Sequence, residues 1–189
     1  MSDNKLANPA ALGLGGFAMT TFLLNFVNAG IVDANSLGMV LPVGLFYGGL
    51  AQFCAGMWDM KRGDIFGATC FSSFGAFWIA LATMIILQKA DLLPAVAPAG
   101  MALFLVGWGI FTAYATIASL KTSWGVASVF VTLTILFFLL AWGEYSHTVK
   151  VIAGYEGILC ALIAWYCSAA VLINTVSGRD VLPLGHIKA

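Results

Sequence analysis

The sequence predicts an all-α integral membrane protein in which six transmembrane helices form one bundle. Of its 189 residues, 61% are apolar and only 8% are charged, and the mean hydropathy is +0.99. A soluble domain has about a quarter of its residues charged, so in water this chain would expose a surface of apolar side chains. The net charge is zero, which leaves no strong field to attract nucleic acid, and no nucleic-acid partner is expected.

Long uncharged segments locate the six helices. A membrane-spanning helix needs about 20 mostly apolar residues. We predict spans over residues 10–31, 36–57, 66–88, 98–119, 123–143 and 151–174, numbered here as the first to the sixth span. The connections between them are short and leave no room for a soluble domain. Residues 1–189 are therefore predicted to form a single six-span transmembrane domain with short tails.

The first span is a helix of the bundle rather than a signal peptide. Its uncharged segment, residues 6–32, is too long for a signal-peptide core, and no small-residue cleavage pattern closes it convincingly. Asn8 and Pro9 precede it, and these residue types suit a helix cap and a first turn. The next four spans occupy the uncharged segments 34–58, 65–88, 92–120 and 122–143, and the sixth contains one charge, Glu156.

The distribution of Lys and Arg predicts that both termini are cytoplasmic. With the N-terminus inside, the outer loops carry only Lys89 and Lys150. The inner segments then carry six basic residues: Lys5, Lys61, Arg62, Lys121, Arg179 and Lys188. Cytoplasmic loops of membrane proteins carry the excess of Lys and Arg, so this asymmetry favours a multi-pass protein of a plasma or inner membrane.

Small residues in the spans predict close helix packing. Gly44 and Gly48 form a G-x-x-x-G motif in the second span, and such motifs let helix backbones approach each other in lipid. The alternative interpretation is that small residues make room for a small solute or a protomer interface.

Polar residues in the first span share one helical face. Phe17, Thr21, Asn25 and Asn28 follow the i, i+4, i+8, i+11 spacing, and two amides are costly when they face lipid. Other spans add Gln52 and closely spaced hydroxyl residues, namely Thr69, Ser73, Thr112, Thr116, Ser119, Ser128 and Thr132. Hydrogen bonds between helices explain each of these pairs alone, but together they favour a passage with a polar lining.

Glu156 is the one ionisable carboxyl predicted to lie within a span. An intramembrane acid is a candidate functional site, here one that exchanges protons. The alternative is a carboxylate near the outer interface that is hydrated or pairs with Lys150, which lies about 9 Å away along the helix.

The expected signatures of an enzyme or a metal site are missing from the spans. Both histidines, His147 and His186, are predicted to lie outside them, and no H-E-x-x-H motif occurs. The four cysteines, Cys54, Cys70, Cys160 and Cys167, show no C-x-x-C spacing and are expected to be buried apolar residues. The tryptophans in mid-span, Trp78, Trp108 and Trp165, are expected to be packing residues. We therefore expect no metal, no cofactor and no enzymatic activity.

Residues 8–14, N-P-A-A-L-G-L, resemble the N-P-x-P-L-G-L signature of the acetate uptake transporter family. This family includes the succinate–acetate permeases of bacteria and related ammonia/acetate proteins of fungi. The segments F-Y-G-G-L-A-Q at 46–52, F-G-A-F-W at 74–78, L-T-I-L-F at 133–137 and V-L-P-L-G at 181–185 are similar to it as well. The second proline of the signature is Ala11 here, so the first turn lacks the rigidity that proline provides.

The resemblance implies a homohexamer in which each protomer encloses its own passage. By motif position, Phe17, Phe74 and Leu133 form a narrow apolar constriction in that passage. Relatives can carry Tyr at the position of Phe74, and any contact made by that hydroxyl is not expected here.

The resemblance also implies the substrate contacts. Asn8, Thr20, Thr21 and Gln52 correspond to residues that contact a carboxylate, and Ala164 to a small residue that limits substrate size. To these we add Asn25, from the polar face of the first span, and Glu156 as the intramembrane acid.

The resemblance implies membrane transport of acetate and related small carboxylates, with succinate among them, and the polar face of the first span agrees with a lined passage. The sequence leaves open whether the protein is an anion channel or a proton-coupled symporter. The alternative is a channel for another small solute such as ammonia or urea, although the intramembrane His or paired half-helices expected of such channels are not seen. A membrane enzyme lacks a nucleophile–base pair, and a structural or signalling role would not explain the amide-bearing face.

Overall fold

A computed structural model describes residues 6–185 of the chain. Within these residues, six helices are long and apolar enough to cross a membrane. Five are uninterrupted: α1 (Ala10–Asn28), α4 (Ile65–Lys89), α5 (Pro98–Ser119), α6 (Trp124–Gly143) and α7 (His147–Ser177). The other, Ala34–Arg62, consists of a short 3₁₀ turn (Ala34–Ser36), α2 (Leu37–Leu45), a π-helical segment (Phe46–Ala51) and α3 (Gln52–Arg62). Lys5, His186 and Lys188 lie outside the described residues.

The six-helix fold class predicted from the sequence is confirmed, and the differences are at the helix ends. The first helix ends at Asn28 rather than residue 31, because the amides of Ile31 and Val32 bond back to the Phe26 carbonyl and close a turn. The last helix begins at His147, four residues earlier than predicted, because Ser146 caps it. The expectation that His147 lies outside the spans is therefore wrong, although it occupies only the first, exposed turn.

The helices form a ring around a central axis. Going around it, α5 packs on α6, α6 on α7, α7 on α1, and α1 on the α2–α3 helix, which packs on α4. The backbones of α4 and α5 make few contacts, and aromatic side chains fill the space between them. Phe77 of α4 lies 5.7 Å from the Phe104 ring and 5.1 Å from the Trp108 ring of α5, measured between centroids.

The outside of the ring is covered by large apolar side chains. On α5, Leu103, Ile110 and Ile117 repeat at every seventh residue and are 74%, 59% and 69% exposed. Such a surface would aggregate in water, and it is the surface that lipid requires. The described chain is therefore a multi-pass membrane protein.

The segment after α7 folds back and is fastened to the bundle by six hydrogen bonds. The Asn174 side chain bonds the backbone of Val181 and Leu182 at three points, each at 2.8–2.9 Å, and the Tyr166 hydroxyl donates to the Pro183 carbonyl at 2.8 Å. The first amides of α6 then donate to the carbonyls of residues 184 and 185. The segment 181–185 thus completes the start of α6.

Backbone contact through glycine holds α4 against the α2–α3 helix. A Cβ added at Gly75 would lie 2.6 Å from the Phe53 amide nitrogen and 2.8 Å from the Gly49 carbonyl oxygen. Both atoms belong to the backbone, which cannot swing aside as a side chain can. The predicted Gly44–Gly48 motif is also a packing motif, because a Cβ at Gly48 would collide with Thr20 of α1.

We expect Gly75→Ala to lower the melting temperature of the detergent-solubilised protein, because overpacking typically costs about 1–3 kcal/mol. Gly107→Ala is the matched control, since a Cβ there meets nothing within 4 Å and Ala is the better helix former by about 1 kcal/mol. The two variants should shift the melting temperature in opposite directions. Equal melting temperatures would contradict the close approach at Gly75.

Candidate functional site

Two small chambers lie between α1, α4 and α6 and share three lining residues. We call the chamber nearer the start of α1 the terminal chamber and the other the far chamber. Phe17, Phe74 and Leu133 line both of them. The terminal chamber is otherwise lined by Leu14, Gln52, Cys70, Phe71, Val129 and Phe130. The far chamber is otherwise lined by Thr21, Leu24, Asn25, Phe77, Trp78, Leu136, Phe137 and Leu140.

The passage is closed to a small carboxylate in this conformation. Each chamber has a volume of about 20 Å³. A single water molecule already needs roughly 10–15 Å³ of such space. A molecule of four heavy atoms needs more room than this. Solute movement therefore requires that side chains at the constriction move.

Phe74 is at the centre of the aromatic packing around the constriction. Its ring lies 6.1 Å from the Phe17 ring, 5.4 Å from the Phe111 ring and 6.4 Å from the Phe137 ring. Phe74 is 3% exposed and Leu133 is 3% exposed. Phe74 thus packs against α1, α5 and α6 at the apolar boundary between the two chambers.

The π-helical segment places Gln52 in the terminal chamber. A π segment carries one extra residue per turn, and such bulges often occur at functional sites. Here it follows Pro42, which has no amide hydrogen to continue the regular helical bonding, and it ends directly before Gln52. Gln52 is 1% exposed, and its Oε1 accepts no hydrogen bond from residues 6–185.

The predicted polar face of the first span reaches the far chamber. Thr21 and Asn25 both line it. The Asn25 amide is held on both sides, because its Nδ2 donates to the Thr21 carbonyl at 2.9 Å and its Oδ1 accepts from Asn28 Nδ2 at 3.1 Å. The Thr21 hydroxyl has no hydrogen-bond partner in the described chain.

Thr20 and Ala164 line neither chamber. The Thr20 hydroxyl donates to the Gly16 carbonyl at 2.9 Å, and its side chain packs on Gly48 of the π segment rather than lining either chamber. Ala164 is fully buried in the helix core. The structure gives both residues a packing environment, and their roles toward a substrate remain predictions.

Asn8 lies at the terminal end of the bundle in a small polar cluster. Its Oδ1 accepts from the Ala10 amide at 2.9 Å and from Arg62 Nη1 at 3.1 Å. Arg62 also pairs with Asp59 at 2.7 Å, and Asp59 is 1% exposed. This cluster joins the start of α1 to the end of α3.

Glu156 lies on α7 outside both chamber linings. Its two carboxyl oxygens are buried, and no residue of the described chain donates a hydrogen bond to them. The alternative of a pair with Lys150 is not seen, because Lys150 approaches Glu144 instead, at 3.7 Å. A buried carboxyl without a partner is a candidate site of proton uptake.

Of the polar residues expected from the other spans, Gln52 lines a chamber, whereas the hydroxyl residues line neither chamber and most of them bond along or between helices. Thr116 of α5 lies 2.9 Å from the Thr134 hydroxyl of α6 and 3.1 Å from the Phe130 carbonyl. Ser73 and Thr69 face the crevice between α4 and α5. The passage is lined mainly by apolar side chains, with a few polar groups on either side of the constriction.

Sequence reasoning missed Trp78 and the π segment. Trp78 lines the far chamber, and its Nε1 is buried without a hydrogen-bond partner among residues 6–185. A tryptophan in mid-span gives no signal that its N–H lacks a partner. In the described chain no group of three or more His, Cys, Asp or Glu residues could hold a metal ion.

Comparison with known proteins identifies the family. Residues 1–184 match the GPR1/FUN34/yaaH family. The chain is 41% identical to the succinate-acetate/proton symporter SatP of Escherichia coli K12, over 98% of this chain and 99% of the relative. It is 35% identical to acetate permease A of Emericella nidulans, over 96% of this chain and 67% of the relative.

A solved structure agrees with the fold. The structure titled as the bacterial acetate channel SatP superposes with a TM-score of 0.92 at 40% identity, covering 96% of this chain and all of that chain. The match over residues 1–184 and the 41% identity to a relative covered over nearly its whole length show that this chain belongs to the GPR1/FUN34/yaaH family.

Proposed function

We propose that this chain transports acetate and related small carboxylates, succinate among them, through a passage inside each protomer. The relatives named above as a symporter and a permease of these solutes support the substrate class. The observation that supports the proposal is the pair of adjoining chambers, which share Phe17, Phe74 and Leu133. The protein moves its substrate without altering it, so transport and not catalysis is its activity.

The chambers suit a small carboxylate that binds weakly. A carboxyl with an ordinary pKa of about 4.3 is almost entirely ionised at neutral pH, and the bilayer excludes the anion. No Lys or Arg is among the residues lining the two chambers. Neutral groups such as the Thr21 hydroxyl and the Gln52 amide replace part of the hydration shell, and weak binding allows the rapid release that conduction requires.

Opening the passage requires motion at the constriction. Leu133 has an apolar side chain, and the Phe74 ring packs on the rings of Phe17 and Phe111. Rotation of these side chains, or wetting of the apolar neck between them, would connect the chambers.

Glu156 is proposed as the site where a proton couples to the solute. The support is its pair of buried oxygens, which receive no hydrogen bond from the described chain. An anion channel needs no such group, so the behaviour of Glu156 separates a channel from a symporter.

We further propose that the protein lies in a plasma or inner membrane as a homohexamer, with six transmembrane helices per copy and both termini cytoplasmic. The Lys and Arg distribution supports the orientation, and the resemblance supports the assembly. The mass of the assembly in native mass spectrometry would test the number of copies.

Leu133→Ala should raise the rate of labelled acetate uptake into proteoliposomes and admit longer monocarboxylates such as butyrate, because Leu133 borders both chambers. Leu103→Ala is the matched control, since Leu103 is 74% exposed on the outer face. Unchanged selectivity in Leu133→Ala would contradict its place in the constriction.

An inward proton gradient at zero membrane potential should drive acetate accumulation above equilibrium in proteoliposomes, and Glu156→Gln should abolish the accumulation. Glu144→Gln is the matched control, because that carboxylate pairs with Lys150 near the end of the bundle. Rapid equilibration without accumulation in the wild type would identify a channel and leave Glu156 with a structural role.

The orientation predicts which lysines face the cytoplasm. Lys89 and Lys121 are both exposed, at opposite ends of the bundle. A membrane-impermeant amine reagent should label Lys89 in intact cells and Lys121 only after the membrane is permeabilised. The reverse pattern would show that the N-terminus lies outside.

A further inference from the structure

The crevice between α4 and α5 widens into an apolar cavity at the terminal end of the bundle. Its volume is about 180 Å³, whereas the terminal chamber has about 20 Å³. We call it the crevice cavity. Its walls include Ile65, Phe66 and Thr69 from α4, and Phe111, Tyr114 and Ala118 from α5.

The crevice cavity exists because the side chains at this end of α5 are small. Toward the far end, the rings of Phe77 and Phe104 fill the space between α4 and α5, with centroids 5.7 Å apart. Toward the terminal end, α5 presents Ala115 and Ala118 to the same crevice. The cavity opens to the outer surface, where its wall residue Tyr114 is 57% exposed. An empty space would leave the wall atoms without van der Waals partners, so hydrocarbon from the bilayer fills it.

The position of the membrane boundary places Lys121 at the level of the lipid head groups. Trp124 at the start of α6 is 61% exposed, and Trp58 at the same end of the bundle is 51% exposed. Exposed tryptophans are enriched at the interface between membrane and water. Lys121 lies three residues before Trp124, and its amide donates to the carbonyl of Ala118 at 3.1 Å. The lysine thus directly follows the part of α5 that lines the crevice cavity.

The Lys121 ammonium group is available to a negatively charged head group. Lys121 is exposed and makes no ion pair with another of residues 6–185. Arg62, by contrast, pairs with the carboxylate of Asp59 at 2.7 Å. The nearest acid along α4 is Asp64, which accepts a hydrogen bond from the Gly67 amide at 3.0 Å. Its charge is therefore offset by the positive end of the α4 helix dipole.

We infer that the crevice cavity is a binding site for an anionic phospholipid. The lipid phosphate contacts Lys121, and one acyl chain lies between α4 and α5 against Phe66 and Phe111. With the N-terminus inside, as proposed above, this chain comes from the cytoplasmic leaflet, whose anionic lipids attract Lys and Arg near the surface. The inference does not depend on which solute the protein transports.

The bound chain would form part of the wall of the passage. Cys70 lines both the crevice cavity and the terminal chamber, so this part of the wall is one side chain thick. Phe111 lines the crevice cavity, and its ring lies 5.4 Å from the ring of Phe74. The lipid chain therefore packs directly behind side chains that border the constriction.

Native mass spectrometry of the purified protein, titrated with phosphatidylglycerol or with phosphatidylcholine, tests the site. The wild type should retain phosphatidylglycerol in preference to phosphatidylcholine. Lys121→Gln should weaken the binding of phosphatidylglycerol about fivefold, which is the typical effect of one lysine near an anionic surface. Ala118→Phe should remove the retained lipid, because the added ring occupies the crevice cavity.

Two matched controls separate the site from general effects of charge and bulk. Lys89→Gln removes an exposed lysine at the opposite end of the bundle. Ile117→Phe adds a ring on the outer face of α5, where Ile117 is 69% exposed and does not line the crevice cavity. Both controls should retain phosphatidylglycerol as the wild type does.

Three outcomes would overturn the inference. One is equal binding of the two lipids by the wild type, and another is equal retention of phosphatidylglycerol by the wild type, Lys121→Gln and Ala118→Phe. The third is a change in the mass of the assembly in Ala118→Phe without a loss of lipid, which would show that a second copy of the chain covers the crevice. If Ala118→Phe does not fold, Lys121→Gln decides by itself, because its side chain is exposed.

Discussion

Backbone contact through glycine is the constraint on which the passage depends. In lipid no hydrophobic effect drives helices together, so close packing has to do so. Gly75 presses the α4 backbone onto the α2–α3 helix, and a Cβ at Gly16 of α1 would collide with the Tyr47 carbonyl of the π segment. These two backbone contacts hold α1, the α2–α3 helix and α4 in close contact with one another. Phe74 and Phe17 are the sequence neighbours of these glycines, so the packing that closes the bundle also sets the width of the constriction.

The passage has to exclude water and ions and still bind a small anion. An apolar neck keeps water and ions from leaking, because an ion loses its hydration there without compensation. Neutral polar groups lie on either side of the neck, with Gln52 in the terminal chamber and Thr21 in the far chamber. The fixed charges described in the polar cluster, Arg62 and Asp59, stay at the terminal end, where they join helices. This division allows a small anion to be recognised without being trapped.

Much of the fold could be predicted from the sequence, because charge cannot enter lipid and its absence marks the spans. The far-chamber positions of Thr21 and Asn25 followed from helical periodicity. The difference between Thr20 and Thr21 could not be predicted, since it depends on Gly48 packing against one of them. The π segment was also missed, because an extra residue in a helical turn leaves no mark in the hydropathy pattern. The hydroxyl residues of α5 and α6 were wrongly predicted to line the passage, because hydrogen bonds between helices and a polar lining need the same residue types.

The fastening of residues 181–185 has a consequence for biosynthesis. Helices enter the membrane in the order in which they are made, so α6 is inserted before α7 exists. The first amides of α6 pair with residues 184 and 185, which are synthesised only after the whole of α7. Asn174, near the end of α7, positions that segment. The start of α6 can therefore be completed only after α7 and the segment that follows it have been synthesised.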